Sequence, residues 1–328
     1  MSTFENIRGV AIKSLTSDPS PAAAGDIWYN STSQTLKGVI NTGAWSSGGN
    51  LTAATNALAG TGTLTAGVVA GGRDNPSDFD TTTEEYNGTA WSPSGALNTG
   101  RTLSMFVGTQ TTGFYMGGIK APANTASANV EDYNGSAWTN GTAFNLGRYS
   151  GGAAGTNTAS VIFGGNNIGG VGTTSNVEEW NGSSWSEVNN LPSAILTQNS
   201  CGTQTAALSI GGPSGSTATL EYDGTNWTSV GSLNTGRGNG GAAGTTLAAI
   251  LATGAAPTLT TATELYNGTA WSNSTSCSLA RQELGSARNG STGSGFWIAG
   301  GESPRTAATE ESTPPDNPKI TLSVPILS

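Results

Sequence analysis

The sequence predicts an all-β chain, a β-propeller of six blades, and three recurring markers lead to that reading. The nonapeptide "EEYNGTAWS" at Glu84–Ser92 returns as "EDYNGSAWT" from Glu131, "EEWNGSSWS" from Glu178, "LEYDGTNWT" from Leu220 and "ELYNGTAWS" from Glu264. Its tryptophans, Trp91, Trp138, Trp185, Trp227 and Trp271, stand 47, 47, 42 and 44 residues apart. A glycine pair precedes each of them: Gly71-Gly72, Gly117-Gly118, Gly164-Gly165, Gly211-Gly212 and a degenerate Thr253-Gly254, with a sixth at Gly300-Gly301. A third marker follows, as in "LNTGR" from Leu97, "FNLGR" from Phe144 and "LNTGR" from Leu233. Three markers in fixed order, repeating at about 45 residues, have the length of one four-stranded propeller blade.

Each element of the unit has a physical reason, taking residues 97–138 as the example. "TLSMFVG" is an apolar first strand, and "GFYMGG" is a second that ends at the glycine pair, where close backbone approach or a positive φ is expected. "NVEDY" alternates apolar and polar residues, as a half-exposed third strand should. "NG" predicts a two-residue hairpin turn with both φ angles positive. "SAWT" opens the outer strand, and its tryptophan can cover the seam between neighbouring blades. Trp45, Trp91, Trp138, Trp185, Trp227 and Trp271 are therefore expected to pack the blades. The sixth unit runs only to "TAATEESTPPD" and lacks its own hairpin, whereas "TLKGVINTGAW" (Thr35–Trp45) aligns without a gap on "TATELYNGTAW" (Thr261–Trp271). The N- and C-terminal segments are thus expected to share one blade and close the ring, which removes open sheet edges. "TAATEES" from Thr306 also resembles a third strand, so the share from each end is open. The expected organisation is an N-terminal arm and linker at 1–34, a propeller at 35–311 and a tail at 312–328.

Composition narrows the function. Charged residues make up 10% of the chain against about 25% in a typical soluble domain, and the net charge is −9. With no block of Lys or Arg, the chain lacks the basic surface that a nucleic-acid partner requires. No run of about 18 apolar residues exists, which argues against membrane insertion. "MSTFENIRGV" lacks the basic-then-apolar form of a signal peptide, so synthesis without signal-dependent export is expected. Cys201 and Cys277 occupy non-equivalent repeat positions, which argues for free thiols rather than a disulfide. The "NGT" and "NGS" sites match a glycosylation pattern, but the turn itself requires those residues.

The glycine pair, the aromatic six residues or so before the tryptophan, the tryptophan and the arginine of "LNTGR" together resemble the kelch-repeat β-propellers, over residues 35–311. Some such propellers are copper oxidases and some six-bladed propellers are glycosidases. This chain has no histidine, which removes the usual copper and zinc ligands and the base of a Ser-His-Asp triad. Its acidic residues are mostly locked to the repeat (Glu84, Glu85, Glu131, Glu178, Glu179, Glu221, Glu264), where hydrogen bonds from turn amides are the expected role. Asp74, Asp78, Asp80, Glu187, Glu283 and Glu302 lie outside that frame, with no pairing visible in sequence and hence no glycosidase pair. No catalytic residue, cofactor or metal site is expected. In the kelch adaptors the corresponding arginine lies at the channel mouth and takes part in ligand binding. The resemblance therefore implies ligand-binding roles for Arg101, Arg148 and Arg237, with Arg281 nearby and Ile195 in the fourth unit. It implies the same for loop residues Arg73 and Lys120, with Asn166 and Glu302 at the same face. The alternative is that each arginine bonds the carbonyls of its own blade.

The ends are the most distinctive part. "SDPSPAAAGDIWYNSTSQTLK" resembles a segment common in structural and tail-fibre proteins of tailed phages, especially those of marine cyanobacteria, in which a "GDIWYN"-like run precedes "YNGTAW"-type units. That resemblance implies a non-enzymatic virion protein, a tail or capsid appendage. Its partners would be other virion proteins, bound through both terminal arms, and a host-surface glycan or protein. Homo-oligomers are common in virions, although no coiled-coil heptads specify one. "KITLSVPIL" in the tail alternates like an edge strand. A kelch-type adaptor for another protein and a carbohydrate-active enzyme are the competing readings.

Overall fold

The computed structural model describes residues 12–17, 27–40, 44–75, 78–120, 125–167, 170, 172–290, 295–302, 304–313 and 320–325. The chain divides into two compact units, one of Trp45–Ser312 and one of Met1–Ala44 with Thr313–Ser328.

The larger unit is all-β and propeller-like. It holds six four-stranded sheets, in which consecutive segments run antiparallel. The second sheet is typical: Met105–Gly108, Gly113–Met116, Val130–Tyr133 and Trp138–Asn140, with Phe106 opposite Tyr115, Tyr115 opposite Glu131 and Tyr133 opposite Trp138. The first, third, fourth and fifth sheets begin at Ala59, Gly152, Asn199 and Gly241 and follow the same order. The second strands, such as "GFYM", "SVIF" and "FWIA", are buried along their whole length, which explains their unbroken apolar runs. The first strand of each sheet lies against the first strand of the next, and that of the sixth against that of the first.

Two residues beyond each "LNTGR"-type arginine position, the backbone is left-handed. Ala57, Leu103, Ser150, Thr197, Asn239 and Glu283 all have φ between 50° and 59°. Each donates its N–H to the carbonyl of its counterpart in the preceding sheet, over 2.7 to 2.9 Å, and Ala57 donates to Glu283. The hydrogen bonds therefore form a closed cycle.

The apolar core lies between sheets. Ala59, Val68 and Ala70 of the first sheet pack with Phe106, Tyr115, Tyr133 and Trp138 of the second, and the other clusters straddle the following seams. The repeat tryptophans stitch these seams. Trp138 Nε1 reaches Thr83 Oγ1 and Gly95 O at 2.9 Å, Trp91 reaches Thr309, and Trp271 reaches Thr219. Trp185 and Trp45 donate to the carbonyls of Thr142 and Thr275. Trp227 packs its ring 4.7 Å from Phe163, but its Nε1 finds no acceptor. The tyrosine of each hairpin adds a polar stitch: Tyr133 donates to Glu85 at 2.5 Å, Tyr222 to Glu179 at 2.9 Å and Tyr86 to Glu311. Burial, followed by the neighbouring carboxylate, pushes the Tyr86 and Tyr133 phenols up to about 12.

Two expectations are corrected. The "NG" loop is not a two-residue turn: Tyr86 pairs with Trp91, leaving four residues between them. Asn87 Oδ1 accepts the N–H groups of Thr89 and Ala90 at 2.9 Å, and only Gly88 has positive φ. That side-chain role explains why Asp223 can replace asparagine in the fourth hairpin, where its Oδ1 caps Thr225 and Asn226. The second correction concerns closure. The sixth sheet runs Gly285–Ser286, Phe296–Ala299, Thr309–Thr313 and Ala44–Ser47. Its third strand comes from the C-terminal side, so the expected start at 35 moves to 45. The reason is chemical: Glu310 supplies a carboxylate where Thr35–Ile40 would offer Gly38, and Arg281 pairs with that carboxylate at 3.0 Å.

Thr35–Ile40 belongs instead to the smaller unit. There it pairs antiparallel with Ile27–Asn30 and, from Thr35↔Pro325 to Ile40↔Ile320, with Ile320–Pro325 of the tail. Lys13–Leu15 pairs parallel to Ile27–Asn30 and forms the opposite edge. The tail segment is thus an edge strand, and its partner is the N-terminal arm. The Pro-rich residues 314–319 and residues 18–26 fall outside the described residues.

The glycine pairs explain one further weak point. The first glycine of each has φ of 61° to 68°, and a Cβ there would meet the next sheet's backbone, as at Gly117 with Arg148 O at 2.5 Å. Thr253 occupies this position with φ 59°, fully buried and with its hydroxyl unpaired. A β-branched residue held left-handed costs about 1–3 kcal/mol. Thr253→Gly is therefore expected to raise unfolding stability by about 1 kcal/mol, visible as a higher urea midpoint at unchanged slope.

Candidate functional site

The repeated arginines are not ligand contacts, which corrects the binding role expected for Arg101, Arg148 and Arg237. All three are fully buried. Arg101 Nη2 pairs with Glu131 at 2.8 Å while Nη1 donates to the carbonyls of Asn129 and Gly117. Arg148 pairs with Glu178 and donates to Asn176 O and Leu146 O. Arg237 pairs with Glu264 at 2.5 Å and donates to Thr235 O and Leu251 O. Arg281, in the equivalent position, completes the set with Glu310. The same carboxylates accept backbone amides of the "LNTGR" turn, such as Asn98 N on Glu131 and Asn145 N on Glu178, both at 2.7 Å. Each pair thus locks one turn to the third strand of its own sheet. Burial presses the four guanidiniums below their ordinary value, and the carboxylates oppose it. At Glu264 burial raises the carboxyl, but Arg237 and the amides of Asn234 and Thr235 outweigh it and hold it low.

The exceptions establish the logic. In the fourth sheet Ile195 stands at the arginine position and Leu220 at the glutamate position, and both pack on the same apolar cluster. Charge is lost at both ends together. That joint loss was the signal in the sequence that the two repeated positions are partners. In the first sheet Thr55 replaces the arginine, and Glu84 retains only the amide of Thr52, at 3.0 Å.

The loops after the glycine pairs do gather on the side of the hydrogen-bonded cycle. Arg73 bridges the backbone of Asn56, and its guanidinium lies 5.0 Å over Phe79. Lys120 pairs with Arg101 in a short ladder, Asn166 with Tyr149, and Glu302 with Gln282. The isolated acids also meet there. Asn56 Nδ2 bridges Glu283 and Glu302 at 3.1 and 3.0 Å, and burial, then Glu302, raises the Glu283 carboxyl. Asn75 joins Asp74 and Asp78 at 2.9 and 3.0 Å. Beside them burial and Asp74 push Asp80 up to about 6.

Inside the cycle lies a cavity of about 70 Å³. Its rim is the six left-handed residues, and Gln198, Ser200 and Ala242 line it further in, together with Arg288 of the sixth sheet. Arg288 is the residue that sequence reasoning missed. It stands where the other five sheets carry Gly62, Gly108, Gly155, Gly202 and Gly244, a departure that was the available signal, and its partners are more than 80 residues away. Among the described residues, no group of three or more His, Cys, Asp or Glu is placed to hold a metal. No helix among them is long and apolar enough to cross a membrane. Cys201 and Cys277 are free and buried, and burial pushes both thiols up to about 12.

No family model and no curated protein matches the chain. Solved structures do: one described as "Structure of YjhT" has a TM-score of 0.65 over 84% of this chain and 99% of that one, at 16% identity. At that identity the likeness shows the fold alone.

Two outcomes are expected. Arg148→Met or Glu178→Gln alone leaves a buried charge unpaired and should cost about 3–5 kcal/mol in urea unfolding. The double variant Arg148→Ile/Glu178→Leu, copying the fourth sheet, should recover most of that loss, whereas additive losses would contradict a shared role. Asp80 has a folded value above its ordinary 3.8, so folding favours its protonated form. That contribution is full below pH 3.8 and is lost as pH rises through about 6. Asp80→Asn should flatten this segment of the Tm–pH curve and exceed the parent protein in Tm above pH 6.

Proposed function

We propose that the larger unit is a closed six-bladed kelch-like propeller, and that the protein is a non-enzymatic virion component of a tailed phage, a tail or capsid appendage. The closed cycle of backbone hydrogen bonds through six sheets supports the architecture. The observation that carries the function is the terminal unit. The "GDIWYN" run resembling phage structural proteins enters a sheet whose other outer strand is the tail, Ile320–Pro325. A small sheet built from both chain ends, with Lys13–Leu15 and Ile320–Pro325 at its edges, suits attachment to neighbouring virion proteins by strand addition. In this reading the propeller is the displayed part and meets a host-surface glycan or protein. The buried arginines do not serve there, so recognition falls to Arg73, Lys120 and the other rim loops.

The carboxylates of the repeat support a non-enzymatic role, since they are committed to arginines, turn amides and tyrosines. The test is peptide mass spectrometry on density-purified particles from the source culture, with copy number set against the major capsid protein. A fixed stoichiometry is the expected result, and residues 314–328 should be required for incorporation. Absence from particles would sink the virion reading in favour of a propeller that captures a soluble partner.

A further inference from the structure

Among the described residues, four fully buried arginines and the partly buried Arg288 differ in their partners. Arg101, Arg148, Arg237 and Arg281 each have a carboxylate and backbone carbonyls. Arg288 has no ion pair: its Nη1 donates to Ser200 Oγ at 2.7 Å and distantly to Ala153 O at 3.4 Å. Its Nε is buried without an acceptor, as are those of Arg101, Arg237 and Arg281, but its Nη2, unlike theirs or their Nη1, meets no carboxylate among the described residues. Ser200 Oγ is itself shared, taking the N–H of Ala153 and donating to the carbonyl of Ala153. A partly buried guanidinium with an unfilled donor is stabilised by a counter-ion.

The surroundings of Arg288 are built. From the sixth sheet its side chain crosses to the innermost strands of the third and fourth, while Asn289 bonds Gly62 O and, at 2.6 Å, Gly108 O of the first and second. These two residues divide the space enclosed by the sheets. Arg288 lines the rim cavity and Asn289 lines a separate one on the other side. Ser200 lies in the inner strand that begins at Asn199, just past rim residue Thr197, so the arginine sits below the rim. A cavity of about 70 Å³ holds a few waters or one small polyatomic ion. At the opposite end is Glu283, a rim residue held by Asn56. An anion entering the cavity therefore gains most at its floor.

We propose that the rim cavity is a binding site for a small oxyanion, a carboxylate or inorganic phosphate, that ion-pairs with the Arg288 guanidinium through its Nη2 donors. Such an anion supplies the charge-assisted hydrogen bond that a carboxylate gives each of the other four arginines. The lowered value of Arg288, about 10 through burial, still leaves it cationic at neutral pH. This inference does not depend on the virion reading.

The experiment uses the full chain with 15N-labelled arginine at fixed ionic strength. Acetate and inorganic phosphate are titrated separately while the Arg288 Nε–H resonance is followed. A saturable shift with a dissociation constant of about 1–10 mM is expected. A response to acetate alone assigns the site to carboxylates, and a response to phosphate alone assigns it to phosphate. Arg288→Gln, followed through the backbone amide of Ser200 in uniformly 15N-labelled protein, should weaken binding at least about tenfold. If Arg288→Gln fails to fold, the direct shift in the parent protein still decides. Absence of any saturable shift with either anion, or equal binding by a folded Arg288→Gln, overturns the proposal.

Discussion

The larger unit depends on one closed cycle. Six backbone N–H groups, from Ala57 round to Glu283, each bond the equivalent carbonyl of the sheet before. A cycle has no terminal member, so the sixth sheet must meet the first, and the chain must bring its two ends to the same place. That is why Ala44–Ser47 lies beside Thr309–Thr313 although 262 residues separate Ser47 from Thr309. The left-handed backbone of six non-glycine residues is unfavourable by about 1–2 kcal/mol each. The bond each one makes, and the strand each one aims outward, offset that cost.

Three layers of periodic contact build outward from the cycle. Arginine–glutamate pairs fix the turn at the inner end of four of the sheets, tyrosine–carboxylate bonds cross the middle of several seams, and tryptophan indoles cross the outer edge. The layers explain how a chain with few charges stays specific. In four sheets the buried arginine is met by a glutamate; at Ile195 and Leu220 both change together, and in the first sheet, where Thr55 replaces the arginine, Glu84 is held by a backbone amide instead. Buried ion pairs of this kind are weak net stabilisers but poor at tolerating a wrong partner. They make a slipped register costly, since a one-residue slip would bury both charges unpaired.

The sequence disclosed what is periodic. Strand order, the tryptophan seams and the need for both ends in one sheet follow from markers that repeat at a fixed spacing. It hid what depends on partners far apart. Arg101 and Glu131 are 30 residues apart, and each looked like a separate conserved-sounding motif until the paired loss at Ile195 and Leu220 is noticed. The third strand of the closing sheet was ambiguous because "TLKGVI" and "TAATEES" share a strand-like pattern. Only the requirement of Arg281 for Glu310 separates them. The "NG" turn misled because the dipeptide fits two loop geometries, and the side-chain acceptor at Asn87 selects the longer one.

Repetition also dictates where a site can be. A residue repeated from sheet to sheet meets a similar environment each time, and its chemistry is consumed by packing, as the arginine–glutamate pairs of four sheets demonstrate. Recognition must fall on positions where the copies differ. The rim reads Ala57, Leu103, Ser150, Thr197, Asn239 and Glu283, six different side chains on one repeated backbone. The floor is made by "ARNG" of the sixth sheet, whose first strand, Gly285–Ser286, is the shortest of the six. Shortening that strand frees Arg288 and Asn289 from the ladder and turns them across the enclosed space. The same departure that weakens the sixth sheet's inner pairing thus creates an asymmetric cavity in an otherwise repetitive scaffold. A scaffold held by its periodic contacts can carry one uncompensated cation there without losing its fold.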